Sequence, residues 1–182
     1  MILSNHMISV IIFDLDGLLV DSQPLQYQSY NEAFSKYGHP IAKKDWLEWI
    51  HHSMGAKEWI KKLNLSLDFK IIREEKKVLY EKLIDTTMLL KPGAKELVGR
   101  LLKNHYRLCL ASASRMESIE HIIQKFNLKS SFEYLLSDRD ISFPKPHPHI
   151  FLEAARLMEV IPKECVVIED SLAGLKAAKS AG

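Results

Sequence analysis

Four short apolar runs interrupt an otherwise mixed chain: Ile8–Phe13, Arg107–Ser112, Phe132–Leu136 and Cys165–Ile168. Each is rich in β-branched or other apolar residues and bounded by polar or turn residues. None alternates apolar with polar, so the pattern predicts strands buried in a parallel sheet rather than amphipathic hairpins. Helical spacing fills the gaps between the last three runs. Glu117 to Phe126 places Ile119, Ile122, Ile123 and Phe126 on one face, and His147 to Met158 does the same with Ile150, Phe151, Ala154, Ala155 and Met158. Strand and helix in alternation predict right-handed crossovers and a doubly wound, mostly parallel α/β sheet of Rossmann-like type.

The stretch from Gln23 to Lys91 contains no strand-like run. Phe34, Trp46, Trp49, Ile50, Trp59, Ile60, Leu63, Ile71, Ile72, Leu79 and Leu83 recur at helical spacing, with turns at Gly38-His39-Pro40 and Met54-Gly55. An all-helical insertion after the first strand is expected, covering 23–90, with the sheet domain formed by 1–22 and 91–182. Pro92 is expected in the first turn of the next helix. The chain stops at Ala181-Gly182, where a doubly wound sheet ordinarily continues into another strand, so a C-terminal strand is expected to be missing.

Composition narrows the function classes. The 182 residues are 47% apolar, enough for a real core. A formal net charge of +2, without a Lys/Arg cluster interleaved with aromatics, gives no nucleic-acid footprint. No apolar run approaches a membrane span, and Met1 to Met7 lacks the pattern of a secretion signal. Cys109 and Cys165 both lie in strand-like runs and read as free thiols in a reducing compartment, with the cytoplasm as the default. A monomer with no nucleic-acid or membrane partner is the expectation.

Chemistry gathers at the ends of the four runs. Asp14-Leu15-Asp16-Gly17 follows the first, and strand ends form the ligand crevice of an open parallel sheet. Two acids so close must share a cation or divide their protonation, one as nucleophile and one as proton donor. Taken alone, the motif equally fits a solvated turn. Ala111-Ser112-Ala113-Ser114 ends the second run, where small residues let N–H groups approach an anion; the plain alternative is Ser114 as a helix N-cap. Lys145 sits between Pro144 and Pro146, either a fixed cation for a phosphoryl group or a solvated loop lysine. Glu169-Asp170-Ser171 ends the fourth run, offering oxygen ligands for Mg²⁺ or an ordinary Ser171 cap with dipole acids. One crevice for a phosphate and a metal accounts for all four.

These stretches, with Phe13 to Ser22, Leu110 to Ser114, Lys145-Pro146-His147-Pro148 and Val167 to Gly174, resemble the four motifs of the haloacid dehalogenase superfamily, and the resemblance implies a small phosphorylated substrate. The likeness is closest to its β-phosphoglucomutase-like branch of sugar-phosphate phosphatases and mutases. It implies Asp14 as nucleophile, Asp16 as general acid/base, and Ser112, Ala113 and Lys145 as phosphate-binding. It further implies Mg²⁺ held by Asp14, the Asp16 backbone carbonyl and Asp170, with Glu169 assisting, and a helical cap that closes over the sheet domain. Asp16 argues against a dehalogenase. Gln26, where the mutase group tends to carry His, and Asp21-Ser22-Gln23-Pro24-Leu25 favour a phosphatase over a mutase. A non-catalytic binding module on the same fold is the reading of another class. In the insertion, Lys57 is the first candidate substrate contact, ahead of His51 and His52, while the tryptophans are expected to pack its core. His147 and His149 are expected to be loop residues, not a metal pair.

Overall fold

The computed structural model describes residues 7–51 and 55–182, apart from the His51 side chain. Four parallel strands form one sheet in the order β3-β2-β1-β4. They are β1 (Val10–Phe13), β2 (Arg107–Ser112), β3 (Tyr134–Ser137) and β4 (Cys165–Ile168). The chain runs outward from β1 through β2 to β3, then crosses back so that β4 pairs with the other side of β1. That reversal creates a switch point at the carboxyl ends of β1 and β4.

Period-two alternation loads both faces of the sheet. Val10, Ile12, Cys109, Ala111 and Leu136 share one core with Ile150, Phe151, Ala154 and Met158 of the helical run after β3 and with Ala177 near the chain end. Those helices are α7 (His149–Leu157) and α8 (Leu172–Ala181). Ile11, Phe13, Leu108 and Leu110 fall on the opposite face by the same alternation and are also buried. Phe13 meets Phe132 edge to face there, with ring centroids 6.0 Å apart. β3 and β4 stand at the two sheet edges among the described residues; β3 buries only its last two residues and β4 none, although their sequences are nearly as apolar as those of the central strands.

The chain divides into two compact units, Met1–Asp21 with Leu89–Gly182, and Ser22–Met88. The breaks fall where they do because the two connecting segments pair with each other: Val20 bridges Leu90, and the Asp21 N–H donates to the Leu89 carbonyl. The Lys91 ammonium adds an ion pair to Asp21 at 2.7 Å. The following helix, α5 (Ala94–Lys103), opens at Gly93 in the left-handed region, so Pro92 stands in the turn before it rather than in its first turn.

The second unit is all helical: α1 (Gln23–Ser35), α2 (Lys43–His51), α3 (Ala56–Lys62) and α4 (Phe69–Thr86). Ala33, Phe34, Ile41, Trp49, Ala56, Trp59, Ile60 and Ile72 form its core. Trp49 stacks on both Trp46 and Trp59, at centroid distances of 5.5 Å each, so the tryptophans are packing residues. α6 (Met116–Lys125) completes the eight helices among the described residues, none of which is long and apolar enough to cross a membrane.

Candidate active site

Parallel pairing brings the four strand ends to one edge of the sheet. Asp14 directly follows β1, and its N–H donates to Ile168 of β4, fixing it at the switch point. The Lys145 ammonium reaches the same place from the loop after β3. It donates to Asp14 Oδ1 at 2.7 Å, Glu169 Oε2 at 2.8 Å and the Ala111 carbonyl at 2.9 Å. All three of its protons are thereby used. The three side chains are almost wholly enclosed, with 6% exposure for Lys145, 7% for Asp14 and 1% for Glu169. Burial pushes the Asp14 carboxyl up to about 7, against the pull of the Lys145 ammonium and with some help from Glu169. Burial works to lower Lys145, but the two carboxylates outweigh it and hold the ammonium charged.

Asp16 has a different environment. Its Oδ2 accepts from the Ser114 hydroxyl at 2.7 Å and the Ser112 hydroxyl at 3.2 Å. Its Oδ1 is buried without a hydrogen-bond partner among the described residues. The Ser112 oxygen also accepts the Ser114 N–H, which folds the turn back on itself. Ser114 is therefore not the N-cap of α6. Arg115 holds that position, because the Ser114 hydroxyl is committed to Asp16. Two acids two residues apart thus differ sharply: one faces an ammonium, the other two hydroxyls.

Asp14, Glu169 and Asp170 each offer a carboxylate oxygen within 4.8 Å of the others. An all-oxygen, anionic set of this kind suits a hard divalent cation. The Asp16 carboxylate is not part of this set. Glu169 is the most constrained member: its Oε1 accepts the Ser171 N–H at 3.0 Å and the Ser171 hydroxyl at 2.8 Å, while Oε2 holds Lys145. A Cβ at Gly174 would come within 1.9 Å of Glu169 Oε2, so the glycine makes room for that carboxylate. Ser171 also caps α8 by accepting the Gly174 N–H, and cap and acidic crevice therefore coexist. Burial, then Glu169, raise the Asp170 carboxyl above its ordinary range.

The other candidates are placed as follows. Ala113 is exposed at the tip of the Ser112–Ser114 turn. Lys57 is exposed in the first turn of α3, within the helical unit. His52 and the His51 side chain lie outside the described residues. His147 and His149 lie beside Phe143, with ring centroids 4.8 and 5.9 Å away, and the His147 Nδ1 accepts the His149 N–H. Two residues at the site escape sequence reasoning. Ser114 binds Asp16, and Asp138, just past β3, is 5% exposed and accepts the Lys145 N–H. Asp138 follows the same strand-end rule as Asp14 and Glu169, and that rule could have flagged it.

Parallel strand ends that surround a lysine with acids define the class of this chain. It belongs to the haloacid dehalogenase-like hydrolases, whose family model matches residues 8–182. Among curated relatives, hexitol phosphatase B of Escherichia coli K12 is 30% identical over 182 residues, covering 93% of this chain and 78% of that protein. A mutant of CbbY from Rhodobacter sphaeroides, solved in complex with xylulose-(1,5)bisphosphate, superposes with a TM-score of 0.84 at 26% identity, covering 96% of this chain and 83% of the other. The β-phosphoglucomutase of Clostridium difficile gives 0.80 at 28% identity, covering 96% and 82%.

Proposed function

We propose that this hydrolase removes phosphate from a small phosphorylated sugar or polyol through a phosphorylated Asp14. The contrast between Asp14 and Asp16 carries this reading. A buried carboxylate held beside an ammonium is oriented to attack phosphorus, and the charge on the transferring group is met by Lys145. The Ser112 hydroxyl and the backbone around Ala113 add donors for its oxygens. Asp16, presented by two hydroxyls, gives its proton to the departing alcohol oxygen and then takes a proton from the water that splits the acyl phosphate. Inorganic phosphate leaves and Asp14 is regenerated. The names of the relatives, hexitol phosphatase B among them, support a polyol or sugar as the departing alcohol.

The donor set fits Mg²⁺, which Asp14 and Asp170 would hold together with the Asp16 carbonyl. Glu169, with its oxygens taken by Lys145 and Ser171, is suited to steadying the arrangement. The ion would supply charge neutralisation for the phosphoryl group. Free thiols and a small substrate fit a reducing compartment such as the cytoplasm. Cys109 is fully buried, and burial raises its thiol to about 12, which keeps it inert.

A phosphate-release screen over hexose, pentose and polyol phosphates tests the reading. Release should require Mg²⁺ and be lost in EDTA. Conversion of β-glucose 1-phosphate to the 6-phosphate faster than phosphate appears would instead make the protein a mutase. No turnover of any kind, with Mg²⁺ still raising the melting temperature, would favour a binding module.

Gly17 provides a second check on the metal site. Its φ is +84°, and a Cβ there would fall 2.1 Å from Asp170 Oδ2. Gly17→Ala should cost about 1–3 kcal/mol of stability through the left-handed backbone. It should also push Asp170 aside and raise the Mg²⁺ concentration for half-maximal activity roughly tenfold or more. An unchanged Mg²⁺ requirement in the folded variant would remove Asp170 from the metal set.

A further inference from the structure

We propose that Asp138 is a positioning residue that holds Lys145 in register for phosphoryl transfer; this rests on the function proposed above. Among the described residues, the hydrogen bonds of Asp138 go to Lys145 and Ser112 and not to Asp14, Glu169 or Asp170. It lies one residue past β3, nearly buried, where an acid is costly without a partner. Its own N–H donates to the Ser112 carbonyl at 2.8 Å, so its backbone is tied to the end of β2. Its Oδ2 accepts the Lys145 N–H at 3.0 Å across the intervening loop. Among the described residues Oδ1 is buried without a hydrogen-bond partner, and the tether is the one hydrogen bond the carboxyl makes.

The flanking prolines make that bond decisive. Pro144 and Pro146 carry no N–H, leaving Lys145 with the one amide donor in Pro144-Lys145-Pro146. No neighbouring amide can substitute for it. The loop between Arg139 and Pro144 contains neither helix nor strand, and most of it is exposed. Without the tether, the Lys145 backbone would be held by its long side chain, by the turn that the His147 N–H closes onto the Pro144 carbonyl and by the packing of Ile141, none of which grips the Lys145 amide itself. That side chain must meet three acceptors at once, an arrangement that four rotatable bonds make entropically costly unless the backbone is fixed. Neighbouring bonds reinforce the clamp. The Ser137 hydroxyl donates to the Ser114 carbonyl at 2.7 Å and accepts the Arg139 N–H at 3.0 Å. The end of β3 thus joins the Ser112–Ser114 turn to the lysine loop, and Asp138 is the link on the lysine side.

The test uses the full chain with Asp138→Ala, which removes the acceptor, and Asp138→Asn, which keeps a carbonyl oxygen for the Lys145 N–H. Hydrogen exchange of ¹⁵N-lysine-labelled protein reads the tether without reference to activity. In Asp138→Ala the Lys145 amide should exchange on the order of 100-fold faster, while other lysine amides hold their rates. With the substrate found in the screen, kcat should fall roughly 10- to 100-fold and KM change less than about threefold, the signature of a lost transition-state contact. Asp138→Asn should restore both protection and most of kcat. Asp138→Leu, similar in volume and without an acceptor, repeats the test if the alanine variant does not fold. An active wild type with an Asp138→Ala variant of unchanged kcat overturns the proposal, as does a Lys145 amide that stays protected. Loss of activity in step with melting temperature, equal in the asparagine and alanine variants, overturns it too. An inactive wild type would sink the functional reading instead, and amide exchange would still decide whether the tether exists.

Discussion

Asp14→Asn should give a folded protein whose phosphate release falls by at least ~10³-fold, because an amide oxygen is a poor nucleophile and nothing else at the site replaces it. The substitution is isosteric, so Lys145 keeps its contacts with Glu169 and the Ala111 carbonyl. Stability should move in a direction that a passive residue would not show. The Asp14 carboxyl is raised from an ordinary 3.8 to about 7, so the folded state holds a proton there that the unfolded state has lost. Folding is favoured at low pH and loses that advantage as pH climbs through this window. Asparagine stays neutral throughout. The melting temperature of the variant relative to wild type, measured in EDTA, should therefore be more favourable at pH 8 than at pH 5.5. Undiminished phosphate release from Asp14→Asn would transfer the nucleophile's role elsewhere.

How much of this was visible in the sequence depends on the range of the interaction. The strands were legible because short apolar runs leave a local mark, and β2 and β4 begin and end where their runs do. Strand β3 starts two residues later than its run and ends one residue later. Phe132 and Glu133 precede it, and Phe132 is apolar because it packs on Phe13, not because it pairs. Half-burial of β4 was illegible, since an edge strand and a central one carry the same residues. The acids and the lysine of the site could be found because each follows a strand, and topology sends all strand ends to one edge. The bonds among them were out of reach. Ser112 and Ser114 lie nearly a hundred positions from the Asp16 they hold, and Ser114 reads locally as a helix cap. Asp138 is one acid in a polar loop, with no period to betray that its carboxyl folds back onto Lys145. The helical unit was recognisable from its spacing, while the role of Lys57 within it rests on sequence alone.

Lys145→Met should be the most damaging single change for stability, with a heavy loss of activity besides. Methionine is similar in length but brings no charge, leaving Asp14 and Glu169 facing each other in a closed crevice without the cation that bridges them. Breaking one side of a buried ion pair costs about 3–5 kcal/mol, most of it from the charges left behind. Loss of charge compensation for the transferring phosphoryl group should lower kcat by on the order of 10²–10³-fold. The stability cost must depend on pH. Without the ammonium, the Asp14 carboxyl rises further above about 7, and the folded protein escapes part of the penalty by keeping that proton. The deficit should accordingly be small at pH 5.5, grow as pH rises through the Asp14 window, and be largest at pH 8.5. A deficit equal at both ends would mean that Lys145 acts by packing alone. The double variant Asp14→Asn/Lys145→Met separates the two causes. If the cost lies in the orphaned carboxylate, removing its charge recovers much of the stability, and the two substitutions are strongly non-additive. Activity, by contrast, stays lost, because the nucleophile and the cation that serves it are both gone.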